Sequence, residues 1–272
     1  MARVHNFSAG PAAMPLAVLE KAYARHRLDY KPECVITRPQ DLEYAKNRAS
    51  ALLVHPSWQV RNVGVKLLGL LGAREKIPAL LGLLGDQTPV SLFKRLLGGD
   101  FEQVGFIRRN AITALIRIGD LCPEVETALL AGLADPYYEV RAEAAQAAAV
   151  FGSRISSPEN FISALVKLLE DQNLDVSTAA AEALGKLGGE SDALPALLAL
   201  WDTRFWKMRA AVLHGICHLV ERGQVSDFDE LENQVPKFIL TSTDFKPHFE
   251  IKFAYRRLMD SVSRKKEKRI AQ

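Results

Sequence analysis

"VRAEAAQAAAVFG", from Val140 to Gly152, decides the fold. Val140, Ala144, Ala147, Ala148 and Phe151 fall at helical spacing, so the segment predicts a helix with one buried stripe. Related stretches are "VRNVGVKLLGLLG" from Val60, "IRRNAITALIRIG" from Ile107, "VSTAAAEALGKLG" from Val176 and, more loosely, "MRAAVLHGICHLV" from Met208. Their starts are separated by 47, 33, 36 and 32 residues. A period in this range predicts an array of helical repeats rather than one globular core.

Ala144 is small where neighbouring helices approach closely, and Gly64, Ala111 and Ala180 hold the same place. Val212 departs from that rule in the fifth copy, which is expected to pack differently. Gly72, Gly119, Gly152 and Gly188 stand where each helix should stop, because glycine reaches the left-handed C-cap conformation at no steric cost; Val220 holds that place in the fifth copy. A second run precedes each of the last four, in "KIPALLGLLGD", "EVETALLAGLADP", "ENFISALVKLLED" and "ALPALLALWD", so the repeats read as helix pairs. Pro78 and Pro195 lie near helix starts, where a missing backbone donor does least harm.

With 272 residues, 48% hydrophobic, 25% charged and a formal net charge of +3, the chain has an ordinary globular composition. No apolar run approaches the ~18 residues of a bilayer span, and the first residues lack a secretory pattern. Cys34, Cys122 and Cys217 are isolated thiols, which fits a reducing, cytoplasmic setting. There is no Gly-rich phosphate loop, and His214 and His218, four apart on one helix face, lack an identifiable third ligand. The sequence therefore predicts no metal, no cofactor and no catalytic residue.

From about Asp41 to Gly223 these residues resemble the HEAT repeat family, and more narrowly the bacterial short HEAT-like repeats of phycobilisome lyases. The resemblance implies a right-handed α-solenoid whose second helices line a concave surface that binds another macromolecule. Exposed positions on those helices would include Arg109, Asn110, Thr113, Arg117, Glu143, Gln146, Glu182, Lys186, His214 and His218, a mixed-charge groove suited to a protein partner more than to nucleic acid. It also implies a structural ladder. Arg61, Arg108, Arg141 and Arg209 share one place, with Ser177 in the remaining copy, and each Arg would pair with an Asp in the turn before it, as Asp135 with Arg141 and Asp202 with Arg209.

Two echoes point to alternatives. "FIRRNA" and "DPYYEVR" are similar to stretches of phycobilisome lyase subunits, which act on linear tetrapyrroles, and would put Arg108, Arg109, Asn110, Tyr137 and Tyr138 along a binding surface. "LWDTRFWKMRAAV", Leu200 to Val212, resembles HEAT-like alkylpurine DNA glycosylases, with Trp206 and Arg209 as the carried-over positions. The residue that would stabilise a cationic sugar is unplaced, and Trp201 and Trp206 also read as packing residues.

The long first interval, between the Val60 and Ile107 copies, contains an insertion, residues 86–106, made apolar by Phe93, Leu96, Leu97, Phe101 and Phe106. It either covers a neighbouring helix or serves as a hook for the partner through Phe93, Leu97 and Phe101. Residues 1–40 form an N-terminal extension and capping helix. Their first twenty residues resemble phosphoserine aminotransferases, without the strand and helix alternation or the lysine context of that family. Residues 41–223 form the array of about five helix pairs, and residues 224–263 a helical cap packed through Phe238, Phe249, Phe253 and Tyr255. Residues 264–272 form a basic tail that projects beyond the cap. The reading is an all-α scaffold that binds another protein without catalysis, with a tetrapyrrole-lyase-like accessory or a DNA-binding protein as alternatives.

Overall fold

The computed structural model describes residues 39–86, 103–200, 203, 205–235 and 248–271. Among them are twelve α-helices and no strand, and they fall into two compact units, one ending at Asp120 and one beginning at Leu121. The architecture is all-α, an α-solenoid of helix pairs. The N-terminal extension, the insertion between Asp86 and Gln103 with Phe93, Leu97 and Phe101, and Trp201, Asp202 and Phe238 lie outside the described residues.

The first unit contains α1 (Pro39–Leu52), α2 (Trp58–Leu70), α3 (Ile77–Gly82) and α4 (Gln103–Ile118). Gln103 to Phe106, expected in the insertion, already belong to α4. The second helices α2 and α4 pack directly together, and α1 covers α2. The approach is close. A Cβ on Gly64 would stand 2.8 Å from the Ala49 carbonyl oxygen, and one on Gly69 would stand 2.7 Å from the Ala114 Cα.

The second unit contains α5 (Pro123–Gly132), α6 (Tyr138–Phe151), α7 (Pro158–Leu168), α8 (Leu174–Leu187), α9 (Ala193–Leu198), α10 (Trp206–Glu221), α11 (Phe228–Gln234) and α12 (His248–Ile270). Consecutive second helices stack, α6 on α8, α8 on α10 and α10 on α12, while the shorter first helices flank them. Val140, Ala144, Ala147, Ala148 and Phe151 are all buried, as the stripe requires. Each buried Leu or Phe of such a core contributes about 1.5–3 kcal/mol of transfer free energy.

Gly72, Gly119 and Gly152 do adopt positive φ at the ends of their helices. Gly188 does not: its φ is −76°, and its role is space, because a Cβ there would strike the Ala193 side chain. In the fifth copy both glycines come three residues late. Val212 is fully buried, and the tight approach occurs at Gly215, where a Cβ would lie 2.7 Å from the Ala181 carbonyl oxygen. The left-handed stop is Gly223, at φ 76°, so α10 runs past Val220.

The cap differs from expectation in two ways. Phe249 and Phe253 are 78% and 58% exposed, and the buried face of α12 is instead Ile251, Ala254, Leu258, Ser261 and Val262. Small residues at 254 and 261 let α12 lie on α10 as a further second helix would, so the stacking outlasts the sequence period. The basic residues continue α12 to Ile270 rather than projecting as a tail. One of them is paired with the acidic α11: Lys266 Nζ lies 2.6 Å from Asp229 and 3.0 Å from Glu232. Arg269 donates to the Ser226 and Val225 carbonyls and covers the Phe228 ring at 4.3 Å. No described helix is long and apolar enough to cross a membrane.

Candidate functional site

The repeated arginines separate structural positions from available ones. Arg61 donates to the His55 and Pro56 carbonyls (2.9 and 3.0 Å) and pairs with Asp86 at 2.9 Å. Arg141 repeats this, donating to the Asp135 and Pro136 carbonyls (2.8 and 3.1 Å) and gripping Asp171 through Nε at 2.8 Å and Nη2 at 3.0 Å. The carboxylate partner of Arg141 is thus in the following turn, not the preceding one. The preceding turn supplies backbone oxygens, because the Asp135 carboxylate accepts the Tyr137 N–H at 2.8 Å. A planar guanidinium, with five donors in a fork, can serve both turns at once.

Buried Arg108 donates to the Asp86 carbonyl, and buried Arg209 to that of Thr203. Ser177 interrupts the series, turning its hydroxyl back to the Leu174 carbonyl of its own helix. Burial alone would raise the Asp171 carboxyl, but the Arg141 guanidinium and the Asn173 N–H together hold it below its ordinary value.

A second set of links is absent from the sequence reading. Buried Glu126, in α5, accepts the N–H groups of Ser156 and Ser157, each at 3.0 Å, just before α7 begins. Glu190 likewise accepts the Ser226 N–H and hydroxyl ahead of α11. A carboxylate of one repeat therefore meets the orphan donors at the start of a first helix one repeat on. The legible signal is the donor side, in "SSPEN" and "VSDFDE"; the acceptor some thirty residues earlier carries no local mark. For Glu126 burial acts to raise the carboxyl, and the Ser156 and Ser157 N–H groups lower it below the usual range.

Other second-helix positions face outward. On α4, Asn110 is not exposed: it is 6% accessible and donates to Asn62 on α2 at 2.6 Å. Half-buried Arg109 lies 5.1 Å over the Phe106 ring, which in turn lies 6.0 Å from Trp58. Thr113 donates to the Arg109 carbonyl, and Arg117 is exposed. Lys66 on α2 has its ammonium pushed below the ordinary lysine value by burial first, then by Arg109 and Arg117.

In the second unit, Gln146 and Glu182 are exposed, and Glu143, Lys186, His214 and His218 half-buried. Burial and the Arg257 cation lower His214, against the opposing pull of Glu182. His218 is lowered by burial, then by Lys186 and Arg257, although its Nδ1 lies 3.3 Å from Glu221. Glu221 also takes Arg257 at 3.2 Å and, with Ser261, surrounds the buried Cys217 thiol, whose pKa burial raises. That thiol is a packing group rather than a nucleophile. Among the described residues no set of three or more His, Cys, Asp or Glu could hold a metal ion.

The positions singled out by the lyase and glycosylase echoes are partly engaged in the fold. Arg108 and Asn110 are buried in their hydrogen bonds, the Tyr137 and Tyr138 rings pack on each other at 5.3 Å, and Arg209 is buried beneath the turn that precedes α10. Trp206 is half-buried.

Comparison with known proteins bears on the repeats themselves. Residues 126–217 match the family model for HEAT repeats. No curated protein matches the chain in sequence. Among solved structures, an engineered protein from a structural-genomics programme is similar with a TM-score of 0.52 at 17% identity, covering 80% of this chain and 98% of that one. The complex of CpcE and CpcF of phycocyanin lyase from Nostoc sp. PCC7120 contains a similar chain, with a TM-score of 0.51 at 16% identity over 85% of this chain and 98% of that chain.

Proposed function

We propose that this chain, with HEAT repeats over residues 126–217, is a non-enzymatic scaffold that holds a partner protein against the exposed faces of its second helices. One observation carries the reading. Lys66, Arg117, Gln146, Glu182, Lys186 and His214 all lie on second helices, and among the described residues none makes a hydrogen bond or ion pair. The carboxylates and guanidiniums of the repeat junctions, by contrast, are committed to the fold. Lys66, Lys186 and His214 are half-buried, so they lose hydration and gain little in return, a cost that a complementary surface removes; Arg117, Gln146 and Glu182 are exposed. The insertion, through Phe93, Leu97 and Phe101, would add an apolar contact.

Affinity capture with the full chain tests this. The expected result is one stoichiometric protein whose recovery falls when Glu182 and Lys186 are charge-reversed, with an unchanged melting curve. Recovery that ignores those changes removes the second-helix surface from the proposal. Alanine at Phe93, Leu97 and Phe101 should also weaken recovery if the insertion is a hook.

A second reading, an accessory role in tetrapyrrole attachment, draws support from the likeness to the CpcE–CpcF complex and from half-buried Arg109 on the second-helix face. It predicts a bilin absorbance band that travels with the purified chain. A DNA-binding role has less support, since Arg209 is buried, Lys266 is paired with Asp229 and Glu232, and Arg269 is engaged by the Val225 and Ser226 carbonyls.

A further inference from the structure

Helix α12 packs on α10 and α11 with Ile251, Ala254, Leu258 and Val262 buried, and its opposite side is exposed. That side carries Phe249, Lys252, Arg256, Asp260, Glu267 and Ile270. With exposed Ser263 between Asp260 and Glu267 the steps are all three or four residues, so they form a single row about 30 Å long. Phe249 is 78% and Ile270 86% exposed, and Phe253 stands beside the row at its amino-terminal end. Large apolar side chains gathered on one exposed face mark a contact surface. The four charges of the row make no side-chain hydrogen bond or ion pair among the described residues. Arg264, to one side of it, turns back to the Asp260 carbonyl and the Ser261 hydroxyl of its own helix.

The order of these residues selects the occupant. The cations Lys252 and Arg256 lie in the first half of the row and the anions Asp260 and Glu267 in the second, with an apolar end on each side. The row is also symmetric in spacing about the point between Met259 and Asp260: Phe249 mirrors Ile270, Lys252 mirrors Glu267, and Arg256 mirrors Ser263. A copy of the same row laid parallel would set like charge on like charge, which opposes pairing. Laid antiparallel, it sets opposite charges face to face.

We propose that α12 pairs antiparallel with α12 of a second copy of this chain, about a twofold axis at Met259–Asp260. Phe249 then meets the partner's Ile270 at both ends, and Lys252 meets the partner's Glu267. Near the axis the two Asp260 carboxylates sit within one helical turn of the two Arg256 guanidiniums. The interface is isologous, so every contact occurs twice. The apolar ends supply the burial and the charges supply the direction. The pairing goes beyond the scaffold reading and does not depend on what the second helices hold.

The test is sedimentation equilibrium of the full chain from about 1 to 100 µM, the range of a modest interface. A monomer–dimer equilibrium is expected. Lys252→Glu alone and Glu267→Lys alone should each weaken it about tenfold or more, because each turns two opposed contacts into two repulsive ones. Two further outcomes identify the second copy as the occupant. The double variant Lys252→Glu with Glu267→Lys should regain the dimer, and the two single variants mixed in equal amounts should form a mixed dimer although neither pairs well by itself. All four species change exposed residues only, so their melting curves should match the wild type. A chain that stays monomeric throughout overturns the proposal, as does a dimer that both single reversals leave intact. Failure of the double variant to regain the dimer overturns the antiparallel register.

Discussion

Arg141 closes a two-point grip on Asp171, thirty residues further along, while its remaining donor holds the turn from which its own helix starts. The pair is largely shielded, with 19% and 9% of the two side chains exposed. Asp171→Ala should therefore cost about 2–4 kcal/mol, because it leaves a shielded guanidinium without its counter-charge. A double-mutant cycle with Arg141→Met, read by urea unfolding, should return a coupling energy above about 1 kcal/mol. Additive single changes would mean the junction is held by packing alone.

Acid should loosen the same junctions. Asp171 and Glu126 both titrate below their ordinary values in the folded chain, Asp171 through Arg141 and the Asn173 N–H, Glu126 through two backbone N–H groups. A lowered carboxyl contributes stability that is fully present above its unfolded pKa and is lost as pH falls through the folded one. Urea midpoints should accordingly drop below about pH 4, and Glu126→Gln should flatten that drop while lowering stability at neutral pH. A wild-type and Glu126→Gln pair with parallel pH profiles would contradict the assignment.

Two glycines should fail for different reasons. At Gly152, with φ 50° and nothing within 4 Å of a built Cβ, alanine meets only backbone strain of about 1–3 kcal/mol. At Gly185 the added methyl would run into the Gly215 backbone, so α8 and α10 must separate at a cost of about 1–3 kcal/mol or more. Hydrogen exchange distinguishes them. Gly152→Ala should speed exchange only at the end of α6, and Gly185→Ala along both α8 and α10.

Lys66→Gln should leave stability unchanged or raise it by up to about 0.5 kcal/mol, since it removes a charge repelled by Arg109 and Arg117. The sign for pH is opposite to that of a salt-bridged lysine. Folding disfavours its charged form, so the wild type gains from deprotonation as pH rises from its folded pKa toward the unfolded one, and the variant should lack that gain. Thermal melts at neutral and alkaline pH measure both.

Arg269→Ala should loosen α11 without disturbing the array, because Arg269 covers Phe228 and ties the Val225 and Ser226 carbonyls. Faster amide exchange confined to Phe228–Gln234 and the last turns of α12 is the expected signature. Unchanged exchange there would show that Lys266 suffices.

The second helices were legible because each carries its own evidence: an apolar stripe, a small residue and a stop all fall within thirteen positions, as in Val140 to Gly152. The array's continuation into α12 was not, since Ile251, Ala254, Leu258 and Val262 keep the packing while the flanking Arg and Gly markers are gone. The direction of the Arg141 pairing was misread for a geometric reason. Both Asp135 and Asp171 are within reach in sequence, and the choice depends on which carboxylate is already turned toward its own loop. Asn110 illustrates the same limit at the surface: spacing puts it on the outward row, but its pairing with Asn62 draws it inside.

Ser177 leaves α8 without the arginine that ties the beginning of a second helix to the turn beyond it, and Arg222 ties the opposite extremity, binding the Gly185, Leu187 and Gly188 carbonyls from the end of α10. The α6–α8 seam is riveted where its helices begin, and the α8–α10 seam where they finish. In the second unit, two neighbouring seams are therefore fastened at opposite ends of the helices they join.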